Sequence, residues 1–550
     1  MPDVAVRMPD SKWGFTPPAS PEEAEERREK AIRIRKDIED KLEVVKRHSG
    51  NQLKLSKATK EKCEELNAER MGIREALTKT RSLGSYLSLW IERIKRGQDW
   101  EVGVPPDVDR LLPASSRWQK PRSLAEAEDR LFVLHEDVGI IDLDLGDRYR
   151  RDPATGETLD EHVYALWAYH ARHAKTAKAS EVRYLNQWRY WCDGLRSGEY
   201  IRYLAAVTTE EDQLLPAYRN IHRPQTYREA QAAHREAEDA CATITLQLSC
   251  PDRTDPDTGE RLAEDRYFLW RVKAAGALAQ RQAERVFLGE WMDRFCCLRD
   301  GGFWLEPFAP EPQDFAWYPA ERRWSFPAGL LDALNRLLEL RIAQAMIQVE
   351  LSGGSRFDPE TGELLPFHDF KAWEEKAKVA LAGKDCENIF LQRWVEVAKA
   401  GLAHRTAGIP MGDTAAVMAK ITPFVSAELM RQTEEAFTAI DRTWQGSGIQ
   451  PESPFAAAQE LYRLSHSQKS AQARMLGQYG KAAGWAKHHL RKADEKKKRI
   501  TALNRYFARR ADAARPLFQV LTEKLRSNPS LSVRERFALE ACLHFVFLGR

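Results

Sequence analysis

The sequence predicts an all-α protein built from tandem helical hairpins, an elongated solenoid or chain of helical bundles with a repeat of about 103 residues. Three observations carry that expectation. A turn motif returns at constant spacing, tryptophans follow each copy at fixed offsets, and small or apolar residues fill a heptad lattice between them.

The turn reads Asp-Pro-x-Thr-Gly-Glu and begins at Asp152, Asp255 and Asp358, each with an arginine two residues earlier (Arg150, Arg253, Arg356). Aspartate accepts bonds from the amides ahead of it, proline fixes the first corner, and glycine takes the positive-φ position. Fifteen residues after each aspartate stand Trp167, Trp270 and Trp373, and 21 residues later Trp188, Trp291 and Trp394. Between them lie Ala171/Ala174, Ala274/Ala277 and Ala377/Ala380, then Leu185, Leu288 and Leu391, all in one helical seam. A shorter helix is expected to start after each of Pro121, Pro224 and Pro327. The segments opened by Ile141, Ile244 and Ile347 alternate apolar and polar residues, which admits a short β-hairpin at each tip.

These marks divide the chain in order. Residues 1–21 are expected to form a flexible arm carrying a short docking motif, Trp13-Gly-Phe15. Residues 22–118 form a degenerate first unit, whose Leu83 and Tyr86 stand in for a leucine and tryptophan of the later copies. Three clear units follow at 119–221, 222–324 and 325–421, then a degenerate fifth at 422–499 marked by Leu476 and Tyr479. Degenerate end units suit the capping of an array. Residues 500–550 are expected to be a basic and apolar helical cap.

Composition excludes several classes. Charged residues make up 30% and apolar ones 43%, as in folded rather than disordered chains. Lys plus Arg (85) nearly balances Asp plus Glu (82), so the net charge of +3 points to no partner. Eight cysteines form no C-x-x-C pair, which suits a reducing, cytoplasmic setting. No apolar run approaches the ~18–20 residues that span a bilayer, so no membrane is expected.

Charged pairs recur within the seam: Lys178/Glu181, Arg281/Glu284 and Lys384/Glu387. Burying charge on an apolar seam costs desolvation. The pairs are expected to bridge i to i+3 and set the register of stacked units. Their alternative role is to line a groove that presents both charges to a ligand or peptide. At the tips, Arg150, Arg253 and Arg356 are expected to pair with the turn carboxylates. A row of such tips would alternatively suit multivalent contact.

A basic stretch holds Lys487, Arg491, Lys492, Lys496, Lys497, Lys498, Arg499, Arg505, Arg509, Arg510 and Arg515, with Tyr506 and Phe507 interleaved. That is either a solvated helical face or the electrostatic footprint of nucleic-acid binding, with aromatics to stack on bases. His162, His170 and His173, and the His135–Asp144 segment, are weak metal candidates, because no HExxH or CxxC spacing accompanies them. No cofactor motif is present. The function expected is a non-catalytic scaffold or adaptor holding protein partners or a second copy. The alternatives are a nucleic-acid accessory role and, behind it, a metal-dependent hydrolase.

Overall fold

Where the lattice of small and apolar residues runs unbroken, the chain is helical. The computed structural model describes residues 7–52, 60–97, 103–306, 324–445 and 483–548, apart from 116, 148–149, 219–220, 257, 353–355, 357, 359–362 and 412, together with 457, 460, 461 and 464. Among these residues helices dominate and no strand occurs; only isolated bridges such as Arg151 to Thr158 and Thr254 to Arg261 are present. The helices are α1 (Pro21–Gln52), α2 (Lys60–Arg96), α3 (Pro106–Leu111), α4 (Leu124–Asp144), α5 (Glu161–Arg196), α6 (Ile201–Leu204) and α7 (Thr209–Leu214). They continue as α8 (Tyr227–Leu248), α9 (Glu264–Arg299), α10 (Leu330–Ser352), α11 (Phe367–Thr406) and α12 (Thr414–Ile421). The last are α13 (Ala427–Gln445), α14 (Ala483–Ser527) and α15 (Val533–Leu548).

Three of the shorter helices start alike. Ser123 Oγ accepts from the Glu126 amide at 3.2 Å while the Glu126 carboxylate accepts the Arg122 amide at 2.9 Å. Thr226 and Glu229 repeat both bonds, at 3.1 and 2.7 Å. Gly329 has no hydroxyl to offer, yet Asp332 still accepts the Ala328 amide at 2.9 Å. Each device satisfies amides that a helix start leaves without intrahelical partners.

Among the described residues the expected β-hairpin does not extend beyond isolated antiparallel bridges, Arg151 to Thr158 and Thr254 to Arg261. Ile141-x-Leu143, Ile244-x-Leu246 and Ile347-x-Val349 lie in the last turns of α4, α8 and α10. Five alternating residues without a partner strand gain no ladder, whereas continuing the helix supplies a backbone bond per residue. The turn after them is closed by its own backbone. Asp152 N–H donates to Glu157 O at 2.8 Å and Leu159 N–H to Arg150 O at 2.8 Å. The pairs Asp255/Glu260 and Leu262/Arg253 repeat this at 2.8 and 2.6 Å, and Asp358/Glu363 and Leu365/Arg356 at 2.9 and 2.7 Å. Gly156 and Gly259 both sit at φ 73°, the conformation that calls for glycine.

The chain divides into two compact units. The first comprises Met1–Ala205 and Arg235–Ala274. Its α1 and α2 are antiparallel: Ala24 packs with Trp90 and Ile91, while Glu39 meets Arg81. Helices α4 and α5 are also antiparallel, with Leu131 and Leu134 against Tyr184 and Leu185. Where it is described, the arm lies against its own chain. Met8 joins the Ala24 cluster, and Phe15 packs on Tyr86 with ring centroids 5.7 Å apart. The Ser11 hydroxyl and Lys12 amide both donate to buried Glu136, at 2.7 and 2.9 Å. Trp13-Gly-Phe15 thus docks on its own chain, because the arm offers aromatic area and donors to a carboxylate that would otherwise be buried short of partners. Residues 1–6 lie outside the described residues.

The second unit comprises Ala206–His234 and Ala275–Arg550. One core joins Ala400 and Ala403 of α11 with Val417 and Ile421 of α12, Leu517 and Leu521 of α14, and Leu543 and Phe545 of α15. Another joins Leu330 and Leu337 of α10 with Phe390 and Trp394 of α11. The apolar C-terminal helix packs inward, as its sequence predicts. No described helix is long and apolar enough to cross a membrane.

Candidate interaction site

The two tryptophans of each hairpin meet different environments. Trp188, Trp291 and Trp394 are fully buried. Trp167, Trp270 and Trp373 are half-buried, and each stacks on an aromatic residue three positions earlier: Tyr164, Tyr267 and Phe370, with centroids 5.4, 5.7 and 5.6 Å apart. Between them Ala174, Ala277 and Ala380 are exposed. The seam is therefore covered over its C-terminal half and open toward the tip, where sequence spacing alone predicts continuous burial.

The recurring charged pairs stand where the covered half begins, and only one forms the expected i to i+3 bridge. Arg281 donates to Glu284 at 2.7 Å. In the other two copies the glutamate turns to the preceding helix. Arg130 forks between Glu181 (2.5 Å) and the Gln119 carbonyl (2.7 Å). Arg336 forks between Glu387 (3.1 Å) and the Ser325 carbonyl (3.0 Å). The reason is legible one repeat along: the middle hairpin has Ala233 at this place, so Glu284 takes the neighbour on its own helix. Lys178 reaches Asp137 at 2.5 Å. Burial alone would raise the Asp137 carboxyl, but hydrogen bonds and charge from Lys12 and Lys178 outweigh it and hold its pKa below the ordinary value. Lys384 is half-buried on α11.

Other polar contacts link successive hairpins within each unit. In the first, Asp239 of α8 accepts from Ser180 (2.6 Å) and Arg183 (2.7 Å) of α5, and Arg235 donates to Gln187 at 2.8 Å. In the second, Arg294 of α9 donates to Asn335 of α10 at 2.7 Å, and Arg341 to Glu290 at 3.1 Å. Buried polar groups on these faces are bonded to one another, as burial requires. Gln187 and Glu290 stand 103 residues apart, but their partners Arg235 and Arg341 do not, so periodicity could not reveal these contacts.

At the tips Arg150 and Arg253 do not meet the turn carboxylates. They reach Glu161 and Glu264 in the first turn of the following helix, at 3.4 and 3.3 Å. Asp152 Oδ1 instead accepts from the Ala154 amide at 2.8 Å, and Asp255 Oδ1 from the Thr258 amide at 3.4 Å. A turn aspartate serves its own loop first, because those amides have no other acceptor. Phe367 replaces the glutamate in the third copy, and most of the loop from Asp358 to Glu363 lies outside the described residues. The exposed flank of each of the first two tips, residues 153–157 and 258–261, is open to solvent.

The basic stretch is divided. Tyr506, Phe507 and Arg510 are buried. Tyr506 and Arg510 both bond Asp441 at 2.9 Å, and the guanidinium lies 4.2 Å from the Phe437 ring centroid. Among the described residues of the stretch, these two aromatics face a core rather than solvent. The amphipathic period of α14 puts every third or fourth residue inward, which the charge run masks in the sequence. Arg499 meets Glu460 at 3.8 Å and Arg515 meets Asp512 at 2.6 Å. Lys497, Lys498, Arg505 and Arg509 are exposed, and Lys496 is half-buried. The side chains of Lys487, Arg491 and Lys492, and all of residues 465–482 with Leu476 and Tyr479, lie outside the described residues.

Among the described residues no three His, Cys, Asp or Glu side chains converge to hold a metal. His162 lies 3.3 Å from Asp252, while His170 and His173 pack around Tyr169. Glu136, Asp137 and Asp142 are taken by Ser11 and Ser82, by Lys178, and by Lys175. Comparison with known proteins returned no matching family model, no matching curated protein and no matching solved structure.

Proposed function

We propose that this chain is a non-catalytic helical-repeat scaffold whose hairpins stack in series and offer their tips to protein partners or to a second copy. The observation that carries the reading is the reproduction of one tip, closed by the same backbone bonds, at three places about 103 residues apart. Contacts from the second helix of one hairpin to the first helix of the next, Gln187 to Arg235 and Glu290 to Arg341, support a lengthwise array. Each open tip half carries a half-buried tryptophan and exposed alanines, a surface that suits a docked helix or loop.

Small-angle scattering with light scattering on the full chain tests the array, and co-purification from the native host tests the partner. The expected result is an elongated particle that captures a partner or self-associates. The triple variant Trp167→Glu, Trp270→Glu, Trp373→Glu should lose that capture while its circular dichroism is unchanged. A compact particle with neither partner nor self-association would refute the reading.

A further inference from the structure

The first unit contains a cleft that the scaffold reading does not use. Two adjoining cavities, about 640 and 570 Å³, share the wall residues Arg81, Ser85, Phe132 and His135. Helices α1, α2 and α4 line the first, and α5 joins them around the second. Guanidinium groups crowd the walls: Arg70, Arg74 and Arg81 on one side, Arg28, Arg35 and Arg189 on the other.

The wall carboxylates already have partners. Glu136 accepts from the Ser11 and Ser82 hydroxyls and the Lys12 amide, and Asp142 from Lys175 at 2.5 Å. Glu128 binds Arg96 at 2.8 Å, and Glu92 lies 3.8 Å from the same Arg96. The cations are paired unevenly: Arg28 lies 3.2 Å from Glu25, while Arg35 and Arg81 share one carboxylate, Glu39, at 3.5 and 3.0 Å. Arg74 donates to the Asp142 backbone carbonyl at 3.1 Å. Its guanidinium occupies the space over Gly146, where an added Cβ would come within 1.6 Å, so a glycine makes room for it. Arg189 enters no ion pair among the described residues and stands close enough to His135 for its charge, after burial, to help lower the imidazole pKa. Six guanidinium groups thus line the two cavities against four carboxylates, Glu92, Glu128, Glu136 and Asp142.

We propose that this cleft binds a multiply phosphorylated small molecule. Guanidinium forks match phosphate oxygens bidentately, and several of them spread over two adjoining cavities suit several phosphate groups rather than one. Each cavity is the size of a small-molecule site. A nucleic-acid strand would need exposed aromatic platforms, whereas the wall aromatic, Phe132, is buried against Tyr86.

Calorimetric titration of the full chain with sodium tripolyphosphate and with ATP tests the site, with citrate and a single-stranded oligonucleotide as comparison ligands. One tripolyphosphate or ATP should bind per chain, more weakly as salt rises. Arg81→Ala and Arg189→Ala should each weaken it by about tenfold to a hundredfold, the range of one charge-assisted hydrogen bond. Ser85→Trp, at an exposed position lining both cavities, should block binding without removing a charge. The pair Lys498→Glu, Arg505→Glu on α14 should leave it unchanged. If either arginine variant melts early, Ser85→Trp decides. The proposal falls if neither phosphate ligand binds, if citrate or the oligonucleotide binds as tightly, or if the three cleft variants have no greater effect than the α14 pair.

Discussion

At the scale of single residues, the buried indoles and one buried imidazole carry the sharpest consequences. Trp188 is fully buried and its Nε1 has no acceptor among the described residues. The ring therefore contributes through area and packing, against the cost of an unpaired donor. Trp188→Ala should destabilise the chain by about 3–5 kcal/mol, the range for deleting a large core side chain. Trp188→Phe should cost distinctly less, since it removes the orphaned N–H along with one ring. Denaturant titration checks both, and equal losses would mean that the N–H has a partner.

His404, 1% exposed, has neither ring nitrogen bonded among the described residues and packs edge-on against Phe545, with centroids 6.2 Å apart. Burial lowers its pKa from 6.5 to about 4. Between those values the unfolded chain binds a proton that the folded chain refuses. Stability linked to this group is whole above pH 6.5, declines as the pH falls, and is down by about 3 kcal/mol near pH 4. His404→Phe should remove that share of the acid sensitivity, so its urea midpoint should fall less between neutral and mildly acid pH than the parent's. A parallel decline in both proteins would show that the imidazole charges without penalty.

At the scale of elements, the interhelical fork from Arg130 to Glu181 and the Gln119 carbonyl joins three segments at partly buried positions. A double-mutant cycle of Arg130→Ala and Glu181→Ala should give a coupling of about 1 kcal/mol, above the usual surface pair, because the guanidinium is also anchored on backbone. Arg281 and Glu284, lying on one helix with Arg281 half exposed, should couple by only about 0.3–0.5 kcal/mol. Thermal or urea melts of the single and double variants measure the difference, and a coupling no larger at Arg130 would reduce the fork to surface chemistry. The contrast also shows what sequence can convey. The recurrence of Glu181, Glu284 and Glu387 was legible, but their partner depends on whether residue 130, 233 or 336 is arginine or alanine. Only the interhelical register brings those positions within reach. The alternating run at Ile141 misled for a related reason. Local pattern could not say which face met a neighbour, and the helix continues through it.

At the scale of the whole molecule, the two compact units each bury their own tryptophans, Trp188 in the first and Trp394 in the second. The tips and their spacing were readable because turn chemistry is local. The division into units was not, because it passes through α8 and α9, helices whose sequence shows no break. Separate cores imply separate cooperativity, since two-state behaviour holds for single domains and fails where cores are distinct. Calorimetry should therefore resolve two transitions. Trp188→Ala should lower one of them and Trp394→Ala the other, each leaving its counterpart nearly in place. If both substitutions displaced a single common transition by similar amounts, the helices that pass through both units would be transmitting stability well enough to make the chain one folding body. A serial array with nearest-neighbour coupling predicts that outcome only when the hairpin interfaces are stronger than the hairpins themselves.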